Sequence, residues 1–88
     1  MTLGIYKLIF SNGAFYIGRS SNIEKRFSTH KNDLKNNKSN KKLLTVYQEV
    51  GSPTSYEILE VCDTVGTSID REIYWIDFYQ SYKSGYNA

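Results

Sequence analysis

Two short apolar segments near the N-terminus, separated by a turn signal, constrain the fold of this chain more than any other feature. Ile5–Phe10 and Ala14–Gly18 contain mostly β-prone residues, and Ser11-Asn12-Gly13 between them favours a tight turn. The sequence therefore predicts a β-hairpin that places Tyr6 and Tyr16 near one another on adjacent strands.

Glycine marks the outer end of each predicted strand. The first strand opens with Gly4-Ile5-Tyr6, and the second closes with Tyr16-Ile17-Gly18. A glycine within a strand weakens it unless another part of the chain must approach closely. We therefore interpret Gly4 and Gly18 as positions of close approach rather than of chemistry.

Two helices are predicted after the hairpin. Ser21-Asn22-Ile23-Glu24 has the form of a capping box, and an apolar stripe follows it. A second, shorter helix ends at Gly51 and Pro53, because proline cannot continue it. The Asn- and Lys-rich stretch 32–42 between them is predicted to be an exposed loop. The two apolar stripes consist of Ile23, Phe27 and Leu34, and of Leu43, Tyr47 and Val50.

A third strand and a last helix complete the predicted fold. Ser55–Val61 alternates as a strand does, and Thr67-Ser68-Ile69-Asp70 has the form of a helix start. The face of that helix is predicted to carry Ile69, Ile73 and Ile76. The order β-β-α-α-β-α predicts a single α+β domain spanning residues 1–88, with a three-stranded, mainly antiparallel sheet flanked by about three helices.

Composition excludes several classes of protein. The chain has 88 residues, 40% of them hydrophobic, which suffices for one modest core. Its one cysteine, Cys62, excludes an internal disulfide and a multi-cysteine zinc site, and we expect it to be a small core residue. Lys7 interrupts the N-terminal apolar stretch, so no signal peptide is predicted, and no apolar run could span a membrane. We expect a cytoplasmic protein.

The charge of the chain is unevenly distributed. Residues 1–42 hold nine Lys/Arg and two Asp/Glu, whereas residues 43–88 hold two and seven. Seven of the basic residues lie between Lys25 and Lys42. Such a segment is typical of a contact with a nucleic-acid backbone, although a solvated lysine-rich loop has the same composition.

Arg26 and His30 lie one turn apart on the first predicted helix and so share a face. His30 also lies seven residues after Ile23, on or beside the buried stripe, where it needs a hydrogen-bonding partner. A partly buried structural histidine is one interpretation. The other is a phosphate clamp beside a proton-handling group, since arginine binds phosphate oxygens in a bidentate way.

Glu72 is the carboxylate with the most unusual position. It lies three residues after Ile69 and four before Ile76, within an apolar face. A position at the edge of the face, or a salt bridge to a lysine, would explain it structurally. A metal site would also explain it, because Mg²⁺ commonly takes only one or two protein carboxylates. No second carboxylate has a comparable position in the sequence, which favours a site with one metal ion over a site with two.

Taken together, these residues resemble the GIY-YIG endonuclease family over the whole chain, and the phage homing endonuclease modules in particular. The resemblance implies catalytic roles for Tyr6, Tyr16, Arg26, His30, Glu72 and Asn87. It implies that Glu72 binds Mg²⁺, with Mn²⁺ as a substitute, and that Arg26 stabilises charge on the phosphate. Tyr6, its pKa lowered by nearby positive charge, is the expected general base, although Tyr16 and His30 stay open as alternatives. Asn87 would brace the site.

The resemblance further implies the cytoplasm of a bacterial or phage-infected host cell, and DNA cleavage that leaves 5′-phosphate and 3′-hydroxyl ends. Sequence specificity would be low, with a separate DNA-binding domain or protein for targeting, because the chain ends one residue after Asn87. A non-catalytic nucleic-acid-binding module that uses the basic segment 25–42 remains an alternative, as does a protein-interaction domain. The predicted nucleic-acid contacts are Arg19, Lys25, Lys31, Lys35, Lys38, Lys41 and Lys42.

Overall fold

Six elements form the described part of the chain, in the predicted order β-β-α-α-β-α. The computed structural model describes residues 1–38 and 41–79, except for the side chain of Lys42. None of the helices in this part is both long and apolar enough to cross a bilayer. The elements are β1 (Gly4–Ile9), β2 (Phe15–Ser20), α1 (Ile23–Lys35), α2 (Lys41–Val50), β3 (Ser55–Val61) and α3 (Val65–Tyr79).

The predicted hairpin forms one side of a three-stranded antiparallel sheet with the order β2-β1-β3. Its turn is closed by a hydrogen bond of 2.8 Å from the Phe10 N–H to the Ala14 carbonyl. Gly13 takes a φ of 86°, which is costly for other residues. The Asn12 side chain accepts a 3.0 Å bond from the Ala14 N–H. The turn predicted from Ser11-Asn12-Gly13 is therefore confirmed.

Side chains of β1 alternate between the two faces of the sheet, and each face packs on a different helix. Ile5 belongs to a cluster with Ile17 and Cys62, against which α3 packs Trp75 and Ile76. Cys62 is buried, as expected. The opposite face carries Tyr6 and Leu8, which pack with Ile23 and Phe27 of α1. A third cluster joins α1 and α2 around Phe10, Leu34, Leu43 and Val46.

A β-bulge distorts the pairing of β1 with β3. Ile5 pairs with Glu60, whereas Tyr6 pairs with Ile58, so Leu59 is an extra residue on β3. At this point a Cβ atom on Gly4 would collide with the Glu60 carbonyl oxygen. The interpretation of Gly4 as a site of close approach is therefore confirmed.

The capping box predicted for α1 is wrong in its details. Asn22, not Ser21, is the N-cap, and its side chain accepts a 3.2 Å bond from the Lys25 N–H. Glu24 does not return to the cap because its carboxylate accepts bonds from the Thr2 N–H and hydroxyl, at 2.8 and 2.5 Å. The helix continues to Lys35, so the predicted loop 32–42 begins too early.

The last helix also differs from its prediction. α3 begins at Val65, two residues early, because the Thr64 hydroxyl accepts a 3.1 Å bond from the Thr67 N–H. Ile76 packs on the core as predicted, but Ile69 and Ile73 are 44% and 63% exposed. The helix is rotated so that Trp75, Ile76 and Tyr79 face the sheet.

Gly18 faces the Tyr6 ring across the hairpin. The two residues are paired in the register of β1 and β2. A Cβ atom built on Gly18 would collide with the Tyr6 hydroxyl and ring, coming within 2.9 Å of Cε1. Gly18 therefore provides the space that the tyrosine ring occupies.

We predict that Gly18→Ala lowers the free energy of unfolding by about 1–3 kcal/mol, because the added methyl group overpacks a buried ring. Gly66→Ala is the matched control, since a Cβ at this helical position meets no atom within 4 Å. That control should be neutral or stabilising by up to about 1 kcal/mol. Urea denaturation of both variants provides the comparison. Equal effects in the two variants would contradict the close contact between Gly18 and Tyr6.

Candidate active site

Two tyrosines and the single histidine converge on one face of the sheet. The ring centroids of Tyr6 and Tyr16 are 6.4 Å apart. His30, from α1, lies 5.5 Å from the Tyr6 ring and 5.7 Å from the Tyr16 ring. Tyr16 pairs with Leu8 and Tyr6 with Gly18, so the two tyrosines are diagonal neighbours. The predicted proximity of Tyr6 and Tyr16 is confirmed.

A buried hydrogen bond joins Tyr6 to His30. The Tyr6 hydroxyl oxygen lies 2.7 Å from His30 Nε2, and His30 is 4% exposed. Burial, with the positive charge of Arg26, lowers the pKa of His30 to about 4. The imidazole is therefore neutral at pH 7 and able to accept a proton. His30 is partly structural, as one interpretation held, but its partner is a tyrosine of the candidate site.

Arg26 lies one helical turn before His30 and reaches the same tyrosine. Its guanidinium is near enough to the Tyr6 hydroxyl to work to lower the pKa of that hydroxyl, as expected. Burial has the larger effect, and it raises the pKa of Tyr6 to about 12. The net pKa of Tyr6 in the protein without substrate or metal therefore lies above its ordinary value, because desolvation outweighs the charge of the guanidinium.

Glu72 reaches the same site from α3. Its negative charge raises the pKa of Tyr6 and of Tyr16, which places the carboxylate within electrostatic range of both hydroxyls. Burial raises the pKa of Glu72 itself, and the charge of Arg19 partly offsets this effect. Neither of the ion pairs formed within the described residues involves Glu72, so the salt bridge to a lysine is not found there.

The described residues fit a metal site with one carboxylate. They contain no group of three or more His, Cys, Asp or Glu side chains that could hold an ion. Glu72 is half-buried, and the positive charge of Arg19 acts on it. An Mg²⁺ ion keeps several waters and binds phosphate oxygens, so one carboxylate beside a substrate phosphate is a sufficient protein ligand.

Arg19 stands on β2, on the side of the site towards Glu72. It pairs with Ile5, whose side chain belongs to the cluster packed on α3. The Arg19 Nε atom is buried and has no hydrogen-bonding partner among the described residues. A buried donor of this kind calls for a further acceptor, and a phosphate oxygen has the required charge.

The predicted basic contacts do not all lie beside the site. Lys25 is exposed on the same flank of α1 as Arg26, whereas the Lys31 ammonium lies 5.1 Å from the centre of the Tyr56 ring. Lys35, Lys38 and Lys41 are exposed at the far end of α1 and the start of α2. The side chain of Lys42, and Asn87 with its predicted bracing role, lie outside the described residues.

Sequence reasoning missed the polar residues around Arg26. Ser20, Ser21, Asn22 and Thr29 line a cleft that also includes Lys25 and Arg26. Their only sequence signal was a run of serine and asparagine after Gly18, which we interpreted as a helix start. The cleft depends on the angle between β2 and α1, and local sequence does not determine that angle.

Comparisons with known proteins relate this chain to one family. Residues 2–87 match the family model of the GIY-YIG catalytic domain. The fold matches a mutant catalytic domain of intron endonuclease I-TevI, with a TM-score of 0.91 and 31% identity, over 99% of this chain and 93% of that one. It also matches the catalytic domain of homing endonuclease I-TevI, with a TM-score of 0.88 and 31% identity, over 97% and 96%. No curated protein matches the sequence.

The family model spans nearly the whole chain, and both solved structures share its α+β architecture at 31% identity. The tripeptides Gly4-Ile5-Tyr6 and Tyr16-Ile17-Gly18, from which the resemblance started, lie on the central strand β1 and the edge strand β2. The chain belongs to the GIY-YIG catalytic domain family, whose members are nucleases.

Proposed function

We propose that this domain is a DNA endonuclease that hydrolyses phosphodiester bonds with the help of one divalent metal ion. The observation that carries the proposal is the convergence of a hydroxyl–imidazole pair, a guanidinium and a half-buried carboxylate. Together they provide a proton acceptor, a clamp for phosphate oxygens and a metal ligand. A module that only binds nucleic acid has no need of the neutral His30 or of Glu72.

The Tyr6–His30 pair is the proposed route for the proton of the attacking water. In this route the Tyr6 hydroxyl donates its hydrogen to His30 Nε2, which requires the tautomer of neutral His30 whose Nε2 carries no proton. With a pKa of about 12, Tyr6 stays protonated at neutral pH. It therefore takes a proton from water as it passes its own proton to His30. Tyr16, 6.4 Å from Tyr6 between ring centroids, orients the water.

Binding of a phosphate makes this route easier. The positive charge of Arg26 contributes to the low pKa of His30. A phosphate oxygen bound by Arg26 neutralises that charge, so His30 becomes a better base when the substrate arrives. Arg26 then also stabilises the negative charge that develops on the phosphate.

Glu72 is the proposed ligand of the metal. The ion would supply Lewis-acid stabilisation of the phosphate and of the leaving oxygen. Mg²⁺ is the expected ion, and Mn²⁺ suits the same oxygen ligands. Asn87 remains a predicted brace. The cleavage products would carry 5′-phosphate and 3′-hydroxyl ends.

DNA is the proposed substrate, held mainly through its backbone. The half-buried Arg19 and the exposed Lys25 flank the site with positive charge. Phosphate contacts position a protein without reading bases, so sequence preference should be slight. Both matched structures are described as catalytic domains. We propose by analogy that a separate DNA-binding domain or protein directs this one to its target.

The central prediction concerns Glu72. Wild-type protein should nick or linearise supercoiled plasmid in Mg²⁺ or Mn²⁺, and EDTA should abolish the reaction. Glu72→Gln should lower the rate about 1,000-fold or more, because the carboxylate that binds the metal is lost. Asp77→Asn, an exposed carboxylate on the same helix, is the matched control and should keep the wild-type rate.

Cleavage that survives in Glu72→Gln would contradict the metal site. Binding of DNA by the wild type with no cleavage under any metal condition would favour the alternative of a non-catalytic nucleic-acid-binding module.

A second prediction separates the two tyrosines. Tyr6→Phe keeps the ring that packs on Phe27 and removes only the hydroxyl. Its single-turnover rate should fall about 100- to 10,000-fold, the usual effect of losing a general base. Tyr16→Phe should have a clearly smaller effect, since Tyr16 does not contact His30 through its hydroxyl in this route. A larger loss in Tyr16→Phe would reverse the assigned roles.

The third prediction concerns acid stability. The pKa of His30 is about 4 in the folded protein and 6.5 ordinarily, so the unfolded chain binds more protons between these values. The free energy of unfolding is thus at its full value well above pH 6.5, and the contribution of neutral His30 is lost as the pH drops towards 4. Between pH 7 and 4.5 the loss due to His30 should be roughly 2–3 kcal/mol.

Urea denaturation of wild type and His30→Gln at both pH values tests this expectation. The chain contains one histidine, so the extra pH dependence of the wild type reports His30 alone. Identical pH dependence in the two proteins would mean that His30 is not held neutral.

A further inference from the structure

We infer that the cleft beside α1 binds the backbone phosphate next to the scissile phosphate on the cleaved strand. The inference rests on the proposed nuclease function and adds to it a second phosphate subsite. It also divides the basic segment 25–42 into a part that contacts the strand at the site and a part that does not.

The cleft lies between the turn after β2 and one flank of α1. It has a volume of about 160 Å³ and is open to solvent on one side. Such a space accommodates a phosphate group while leaving the adjacent sugars outside. Every residue around it carries a polar side chain: Ser20, Ser21, Asn22, Lys25, Arg26 and Thr29.

Charge in the cleft has a single sign. Lys25 and Arg26 contribute two positive charges, and no carboxylate lines the walls. Glu24, the acidic residue in the first turn of α1, is held elsewhere because Thr2 donates two hydrogen bonds to it. The N-terminal amino group also lies 3.8 Å from the Glu24 carboxylate. An anion is therefore attracted by both cations, and the N-terminal amino group partly offsets the negative charge of Glu24.

Arg26 connects the cleft with the active site. It lines the cleft, and its charge also acts on the Tyr6 hydroxyl, which itself contacts His30. A strand whose scissile phosphate is bound at Tyr6 and Glu72 therefore has a neighbouring phosphate within reach of Lys25. Lys31 cannot contribute there, because its ammonium lies over the Tyr56 ring on the β3 side of α1.

Binding measurements test the subsite apart from catalysis. Glu72→Gln serves as the background so that a 30-bp duplex is not cut, and fluorescence anisotropy follows binding from 50 to 300 mM salt. Adding Lys25→Ala should weaken binding severalfold at low salt and reduce the slope of log affinity against log salt by about 1. Lys25→Arg should restore the slope, whereas Lys31→Ala should change it by less than half as much as Lys25→Ala.

A second measurement identifies the phosphate. A duplex with a defined cleavage position carries one neutral methylphosphonate next to that position. This change should slow single-turnover cleavage by wild-type protein about tenfold and have little further effect on Lys25→Ala, because both remove the same contact. Equal slope changes in Lys25→Ala and Lys31→Ala, or independent effects of the methylphosphonate and Lys25→Ala, would overturn the subsite. If wild-type protein cleaves no DNA at all, the proposed function fails first.

Discussion

The hydrogen bond between Tyr6 and His30 is the interaction on which the rest of the site depends. It joins the central strand to α1 at 2.7 Å, inside a cluster that also contains Leu8 and Ile23. The Tyr6 ring can lie there only because Gly18, opposite it on the neighbouring strand, has no side chain. Gly18 therefore leaves room for the Tyr6 ring, and the Tyr6 hydroxyl holds the His30 imidazole by a hydrogen bond.

Burial, more than charge, sets the protonation of this site before substrate binds. It raises the pKa of Tyr6, lowers that of His30 and raises that of Glu72. The free protein thus holds neutral proton carriers beside a carboxylate that costs energy to keep charged. A phosphate at Arg26 would offset the positive charge that helps to lower the pKa of His30. A cation at Glu72 would stabilise the charged form of that carboxylate. In the proposed mechanism, substrate and metal therefore activate the groups that they contact.

The sequence predicted the fold, and the meeting of Tyr6, Tyr16 and His30, more closely than it predicted side-chain exposure and pKa values. Alternating strands, the Asn12-Gly13 turn and the tripeptides are local signals, and they led to the correct order of elements. Helix starts were misplaced where a second polar residue competed for the cap, as Thr64 does with Thr67. The exposure of Ile73 and the net rise of the Tyr6 pKa depend on packing between distant segments, which no local pattern encodes.

A crystal structure of the Tyr6→Phe variant with an uncleaved DNA duplex and Mn²⁺ tests the central claim most directly, because anomalous scattering locates the metal independently of the phosphate. We predict one manganese peak at the Glu72 carboxylate, with the scissile phosphate hydrogen-bonded by Arg26 and facing the ring of residue 6. Manganese bound away from Glu72, or DNA seated on the α3 side of the sheet without reaching Arg26, would contradict it.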